Sequence, residues 1–546
     1  MTRAGRSRIR RNGVSNLVRL VATVPIFLVL TPYMVRNLGE EAYGAWALVS
    51  ATVAATALGD LGIGGALIRY VAFDDSRADG QLNTLVNTAA VIYLGIAAAM
   101  MLLGWLLHPW LLSGFFRVPA ELFPELRVLF LGSLAAVLVN FVGSAYYSVL
   151  LGVQRYTTSN VIGILGTVVY AGAVFAVLGA GGGVAGLAVA PWAQTVVTAA
   201  GHVVALRRYA PGLRVQPSAF RAGKARELVG FSTRAFVGQI SEYADQQMDK
   251  LILGYAVGSV EVGVYHVAAD VARRLRAVPI ALLNPVLPAA SELAGREEHG
   301  RLAQTLRSAI RHAWAVGVLI CAGTLVFADR FMEVWLGSGY SASNVAAGAQ
   351  VLRILAVALF LNVLTAPYTY VMLAVGEPHV LARSALLHLT LNVGLSLAWV
   401  GRWGMQGVAF ATLVATVAGL AYLVLVCNRR LGERSAEHVR LAVGPVLAAV
   451  AAAVVDALVL GGRPVARSVA GFAVGVALFT AAYVLCLALP RVLRAKERQV
   501  ILAAARRLGL RERLGSFRAW RWGLGVRVES RGTADDGGRA ETEPGW

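Results

Sequence analysis

The chain has 546 residues, 57% of them hydrophobic and only 15% charged, with a formal net charge of +20. So few charges exclude both a soluble globular protein and a disordered one, and they predict an all-α polytopic membrane protein. The basic surplus sits in short loops and terminal segments beside apolar stretches, the distribution expected of cytoplasmic loops, so nucleic acid is excluded as a partner.

The chain opens on a basic cytoplasmic segment, residues 1–13, with Arg3, Arg6, Arg8, Arg10 and Arg11. The apolar run that follows is too long for the hydrophobic part of a signal peptide and has no small-residue cleavage site, so it is expected to stay as an anchor. Residues 14–72 read as two crossings joined by a short loop at 37–44. The second crossing is interrupted by Gly59-Asp60-Leu61-Gly62-Ile63-Gly64-Gly65. Each keeps one ionisable group at depth, Arg19 and Asp60. Such a group in lipid costs about 3 kcal/mol or more, so both are expected to face protein or water.

Fourteen apolar segments can be counted, centred near Ile26, Val53, Gly95, Val137, Thr167, Thr195, Gly238, Val271, Val318, Leu361, Thr390, Val414, Ala451 and Gly475. Each is long enough to span about 30 Å of hydrocarbon. An even number returns the C-terminus to the side of the N-terminus. The basic loops 207–226 and 429–440 place both termini in the cytoplasm by the positive-inside rule. The expected divisions are an N-lobe at 14–206, a basic linker at 207–226, a C-lobe at 227–431, two further helices at 438–490 and a basic cytoplasmic tail at 491–546. Within the tail, 500–514 has the pattern of an amphipathic helix on an anionic leaflet, and 532–546 has the composition of disorder.

A repeat runs through the first twelve segments. Gly183-Val184-Ala185-Gly186-Leu187-Ala188-Val189-Ala190 and Gly404-Met405-Gln406-Gly407-Val408-Ala409-Phe410-Ala411 share G-x-x-G-x-A-x-A at an offset of 221. Gly39 and Gly44 recur as Gly258 and Gly263 at 219, and Gly152 pairs with Gly376 at 224. Three matches at nearly one offset predict two six-helix lobes, segments 1–6 and 7–12, in the same orientation around a central cavity, with two extra helices appended.

Segment 7 is the least lipid-like span. Gln239, Glu242, Asp245 or Gln246, and Asp249 recur at spacings of three and four, one face of a helix. Segment 8 supplies His266, Asp270, Arg273, Arg274 and Arg276, in which Asp270 can pair with Arg273 or Arg274. Arg19, Arg311 and Arg353 add cations from other segments. Facing lipid, six arginines at roughly 3 kcal/mol each would cancel a folding free energy of about 5–15 kcal/mol, so they are expected to line an interior. Arg19, Arg273, Arg274, Arg276, Arg311 and Arg353 outnumber the carboxylates there. A cationic, hydrated interior suits a phosphate-bearing or acidic cargo, because guanidinium binds phosphate through two donors and keeps its charge. Asp60, Glu242, Asp245 and Asp270 are candidates for ion coupling. Catalytic constellations, metal-ligand spacings and nucleotide-binding motifs are absent from the sequence, and no cofactor is expected. Asp74-Asp75 reads as a solvated turn, and Cys321, Cys427 and Cys486 lie in apolar helices.

Several of these residues form a pattern known from one family. Leu38-Gly39-x-x-x-Tyr43-Gly44-x-Trp46, Asp60-Leu61-Gly62-Ile63-Gly64 and Ile68-Arg69-Tyr70 resemble the opening of the polysaccharide-biosynthesis flippases, the Wzx-type translocases of O-antigen and exopolysaccharide. Asp249-Lys250-Leu251-Ile252-Leu253-Gly254, Gly263-x-Tyr265-x-x-Ala268 and Pro288-Ala289-Ala290-Ser291 are similar to that family's segments 7 and 8. The resemblance covers about residues 11–431 and implies the multidrug/oligosaccharidyl-lipid/polysaccharide exporter superfamily. It further implies two lobes around a cavity, a bacterial cytoplasmic membrane location, and an undecaprenyl-diphosphate-linked oligosaccharide carried to the outer leaflet by alternating access. Polysaccharide polymerase and assembly machinery are the implied partners. Arg19 and Arg273, Arg274 and Arg276 fall where relatives place cationic cavity residues. The movement is expected to be absorbed at Gly39, Gly44, Gly258 and Gly263. The alternatives are a cation-coupled multidrug exporter of the same fold, a membrane glycosyltransferase or polymerase on lipid-linked sugars, and a scaffold for the assembly machinery.

Overall fold

The computed structural model describes residues 3–73, 81–209, 216–337, 339–460 and 468–488. The Asp74-Asp75 turn, residues 210–215 of the basic linker, and the tail with its expected amphipathic stretch at 500–514 lie outside the described residues. The first lobe holds α1 (Arg3–Leu38), α2 (Glu40–Ala54), α3 (Ile63–Phe73), α4 (Gln81–Pro109), α5 (Phe123–Gly152), α6 (Tyr156–Gly179), α7 (Gly183–Gly186) and α8 (Val189–Tyr209). The second holds α9 (Ala222–Tyr243), α10 (Asp249–Ala256), α11 (Ser259–Leu283), α12 (Val286–Gly295), α13 (His299–Leu336), α14 (Ala342–Ala374) and α15 (Pro378–Leu431). The appended helices are α16 (Ser435–Arg440), α17 (Val443–Leu460) and α18 (Val469–Ala488).

Eleven helical stretches among the described residues are long and apolar enough to cross a membrane. One of them, Pro378–Leu431, is two crossings end to end, because Gly404 breaks its backbone with φ +53°. The apolar part of α1, Ala22–Leu38, is shorter, and the polar α9–α10 does not meet the same measure. On α17, Val446, Leu447, Val450, Val454 and Leu458 are all exposed, an apolar face that only acyl chains satisfy. The chain is a multi-pass membrane protein.

The interruption expected in the second crossing is real. After α2 the chain tightens into a 3₁₀ turn at Ala55–Asp60, Leu61 takes a left-handed conformation, and α3 restarts at Ile63. The Asp60 carboxylate accepts the Gly64 N–H at 3.0 Å, satisfying one of the orphan donors at the new N-terminus.

The repeat is visible in the backbone. Gly183 and Gly404 have nearly the same left-handed φ, +56° and +53°, a conformation that glycine adopts without strain. The third correspondence is corrected. Gly376 N–H donates to Leu373 O at 3.1 Å and Glu377 N–H to Met372 O at 2.9 Å. The same two bonds are made by Gln154 to Leu151 at 2.9 Å and Arg155 to Leu150 at 2.8 Å. Gln154 (φ +58°), not Gly152, therefore matches Gly376 (φ +78°), at an offset of 222 that agrees better with the others. The first copy holds this turn with a glutamine, at about 1 kcal/mol of backbone strain. Glycine was a misleading marker here: a Cβ on Gly152 would lie 2.6 Å from Val71, so this glycine serves packing.

Gly44 and Gly263, equivalent by the repeat, touch each other. A Cβ on Gly263 would stand 3.0 Å from Gly44 Cα, and one on Gly44 would stand 1.8 Å from the Ser259 carbonyl oxygen. A residue that meets its own repeat mate lies on the axis relating the two copies, by the logic of a two-fold interface. The largest buried cluster gathers at this end and draws Tyr43 and Leu48 from one lobe, Val264, Tyr265, Leu336 and Leu352 from the other. Separate cores serve each lobe elsewhere, Ile63, Tyr93 and Phe141 in the first and Leu306, Ile310 and Met372 in the second.

The appended helices are tied to α13. Arg330 meets Asp456 of α17 at 3.1 Å, with the carboxylate only 2% exposed, and the Tyr483 hydroxyl of α18 donates to Ala315 O at 2.6 Å. Removing one partner of a buried pair leaves an uncompensated charge. Arg330→Ala is therefore expected to destabilise the protein by on the order of 3 kcal/mol, read as a lower unfolding temperature in detergent, and the double variant Arg330→Met with Asp456→Leu is expected to recover most of it.

Candidate ligand-binding site

The polar stripe of segment 7 does not stay on one face. Between α9 and α10 the helix widens into a π turn at Ala244–Met248, which inserts a residue and turns everything beyond it to a different side. The stripe then splits. Gln239 Nε2 donates to Asp60 at 2.7 Å, Glu242 is exposed and accepts from Gln246 at 3.2 Å, and Asp245 lies 4.0 Å from both Arg276 and His388. Asp249, 7% exposed, turns inward and accepts from the Tyr265 hydroxyl and from Thr412 Oγ1 at 3.0 Å. The shared face expected for Gln239, Glu242, Asp245 and Asp249 is therefore corrected, because a period of 3.6 holds only while the helix stays α.

The cluster on α11 is as expected in its pairing. Arg273 is bonded to Asp270 and donates to Gln246 O at 3.0 Å, at the carbonyl that the π turn exposes. Arg274 is different. Its nearest carboxylate oxygen, on the same Asp270, is 3.8 Å away, its Nε is buried without a partner, and its guanidinium lies 3.9 Å above the centre of the Phe27 ring of α1. It also lines a cavity of about 410 Å³ whose other walls are almost wholly apolar, among them Phe27, Phe327, Phe331, Phe472 and Phe479. Lys250 Nζ stands 3.3 Å from His266 Nδ1, and the three arginines of this cluster meet the carboxylates of Asp270 and Asp245.

The remaining arginines are placed apart. Arg19 meets Asn160 Oδ1 at 3.5 Å and lines a second cavity, of about 260 Å³, inside the first lobe. Arg353 is bonded to Asp329 and to Leu325 O at 3.1 Å, a tie between α14 and α13. Arg311 lies one turn from Arg307, which holds Glu433 by bonds of 2.7 and 2.8 Å. Of the coupling candidates, Asp60 is fully engaged by Tyr93, Gly64 and Gln239, Asp270 is paired, and Asp245 is held loosely.

A charged pair beside an elongated apolar cavity, in a two-lobed helical membrane protein, can be compared with known proteins. The family model described as polysaccharide biosynthesis protein matches residues 33–345, more than half of the chain. The chain belongs to this family. A probable low-salt glycan biosynthesis flippase of Haloferax volcanii is 23% identical to this polysaccharide biosynthesis protein over 390 residues, 71% of this chain and 77% of the relative. Among solved structures, an inward closed lipid II flippase MurJ superposes with a TM-score of 0.66 at 12% identity, covering 86% of this chain and 98% of its own. An inward-facing multidrug transporter of the MATE family superposes at 0.64 and 16%, covering 76% and 98%. At these identities the two structures establish the fold and no more.

Sequence reading missed several residues of this polysaccharide biosynthesis protein's site. Phe27 reads as one more apolar residue of α1, and nothing local ties it to Arg274. Phe472 and Phe479 of α18 lie in an appended segment whose only signal is its apolar length. Thr412, a partner of Asp249, carries no charge and so leaves no trace in a count of ionisable groups.

Proposed function

We propose that this polysaccharide biosynthesis protein is a flippase that carries an undecaprenyl-diphosphate-linked oligosaccharide from the cytoplasmic to the outer leaflet of the bacterial cytoplasmic membrane by alternating access. The observation that carries the reading is Arg274: a guanidinium 3.8 Å from its carboxylate partner, at the wall of an apolar cavity of about 410 Å³. The cargo has the same two-part chemistry, a diphosphate and a long hydrocarbon tail. Guanidinium offers phosphate two parallel donors, and the aromatic walls from α13 and α18 offer the tail a dry surface. The flippase names of the relative and of the structural neighbour agree with this. Among the described residues no carboxylate lines that cavity, which speaks against a cationic drug as cargo. Asp245, 4.0 Å from two exchangeable partners, is the carboxylate best placed for ion coupling. Arg19 and Arg276 take secondary roles in this reading, and Arg311 and Arg353 structural ones.

The test is reconstitution of the full chain into vesicles containing a fluorescent polyprenyl-diphosphate sugar, with a membrane-impermeant quencher outside. Protein-dependent movement of label between leaflets, with the lipid chemically unchanged, is the expected result. Unmoved label would overturn the reading, and a chemically altered lipid would replace it with the enzyme.

A further inference from the structure

The cavity around Arg19 has a different character from the one beside Arg274. It lies within the first lobe, between α1, α5, α6 and α8, and its volume of about 260 Å³ is many times the roughly 10–15 Å³ needed to seat one water. Its lining is polar: Tyr147, Ser159, Gln194, Thr195 and His202 face it together with Arg19. Two of these are buried with a polar atom left over. Ser159, 2% exposed, has no partner for Oγ, and His202, 8% exposed, has none for Nε2. Buried polar atoms are rarely left so, and each marks either a cost to the fold or a place for something bound.

The charge in this cavity points the same way. None of the described residues lining it is a carboxylate. Among the described residues the guanidinium has one bond, of 3.5 Å, to the neutral Asn160, whose own amide donates to Ser15 Oγ at 2.9 Å. Gly163 forms the floor: a Cβ there would come within 3.0 Å of Arg19 Cζ. The chamber's wall thus carries the guanidinium, held by one long bond, the unpartnered Ser159 hydroxyl and, in the tautomer with its proton on Nε2, the unpartnered His202 ring.

We propose that this chamber is an oxyanion site, taking one phosphate or carboxylate group on Arg19, Ser159 and His202, separate from the Arg274 cavity. The oxyanion supplies acceptors for the Ser159 hydroxyl and the His202 ring and neutralises the arginine. Its source is either a free inorganic anion or the acidic headgroup of a lipid, and the site stands independently of the transport reading above.

The experiment is titration of the full chain in detergent with inorganic phosphate, followed by calorimetry and by unfolding temperature. Saturable binding is expected in the wild type and in Arg274→Gln, with at least tenfold weaker binding in Arg19→Gln. His202→Phe, which keeps the ring volume and removes the donor, is expected to bind several-fold more weakly. Should Arg19→Gln fail to fold, Gly163→Ala serves instead, since its methyl group displaces the guanidinium while keeping the charge. Absence of saturable binding in the wild type, or equal binding in the wild type, Gly163→Ala and His202→Phe, overturns the proposal. A polyprenyl diphosphate in mixed micelles then separates the sources. Displacement of phosphate from the wild type and Arg274→Gln alike supports the lipid headgroup, and phosphate retained in both supports the free anion.

Discussion

Arg274→Gln is expected to slow lipid translocation by roughly 10- to 100-fold while leaving the unfolding temperature nearly unchanged. Hydrogen bonds to a charged group contribute about 1.5–3 kcal/mol, and each 1.4 kcal/mol is a factor of ten. The side chain has little else to lose: its Asp270 contact is 3.8 Å long, and its stacking on Phe27 contributes about 0.5–1 kcal/mol. Arg273→Gln is expected to behave differently. That arginine holds Asp270 and the Gln246 carbonyl, so its removal frees a carboxylate and a π-turn oxygen together, costing on the order of 2–3 kcal/mol of stability. The released Asp270 then draws Arg274 from the cavity, so transport falls as well, but with a lowered unfolding temperature. Arg274→Lys keeps the charge and loses the two-donor fork, and is expected to fall between wild type and Arg274→Gln. The measurement is the quenching assay on matched vesicles together with thermal unfolding. Wild-type rates in Arg274→Gln would remove the physical basis of the diphosphate reading.

How much of this was legible in the sequence depends on range. The membrane class, the broken second crossing and the lobe repeat all follow from local features: apolar length, a glycine-rich interruption, and a G-x-x-G turn that both copies build with a left-handed glycine at 183 and 404. The Asp270–Arg273 pair is likewise local, three residues apart on one helix. What could not be read is which way a charged helix turns and what stands across from it. The π turn at Ala244–Met248 has no sequence signature, and it alone sends Asp249 into the core and Asp245 toward Arg276. The six arginines share a chemistry but not a location, since Arg353 is taken by Asp329 one helix away and Arg19 turns into the first lobe. A count of charges carries no information on which chamber each side chain enters.

Gly44→Ala is expected to part the two lobes at the end where α2 and α11 meet. The new methyl group would lie 1.8 Å from the Ser259 carbonyl oxygen, which is backbone and cannot rotate away. Overpacking of this kind costs about 1–3 kcal/mol or more, and about 2.7 kcal/mol is a hundredfold in the balance between joined and parted arrangements. The contact is bolstered by Glu40, which accepts from the Ser341 N–H and from Asn344 Nδ2 at 2.5 Å, so those bonds are expected to break with it. Spin labels at Glu41→Cys and Ser343→Cys, in a chain lacking Cys321, Cys427 and Cys486, are expected to show a distance distribution shifted outward by several ångströms, with transport lost. Gly263→Ala is expected to act likewise, its Cβ meeting Gly44 Cα at 3.0 Å. Gly39→Ala separates the two roles that a flexible glycine loop combines. Nothing lies within 4 Å of its Cβ, so only the strain of φ +81° is added, roughly 1–2 kcal/mol, and the label distance is expected to stay as in the wild type. If Gly39→Ala opens the lobes and Gly44→Ala does not, the loop works as a hinge and the glycine pair on the repeat axis is only close packing.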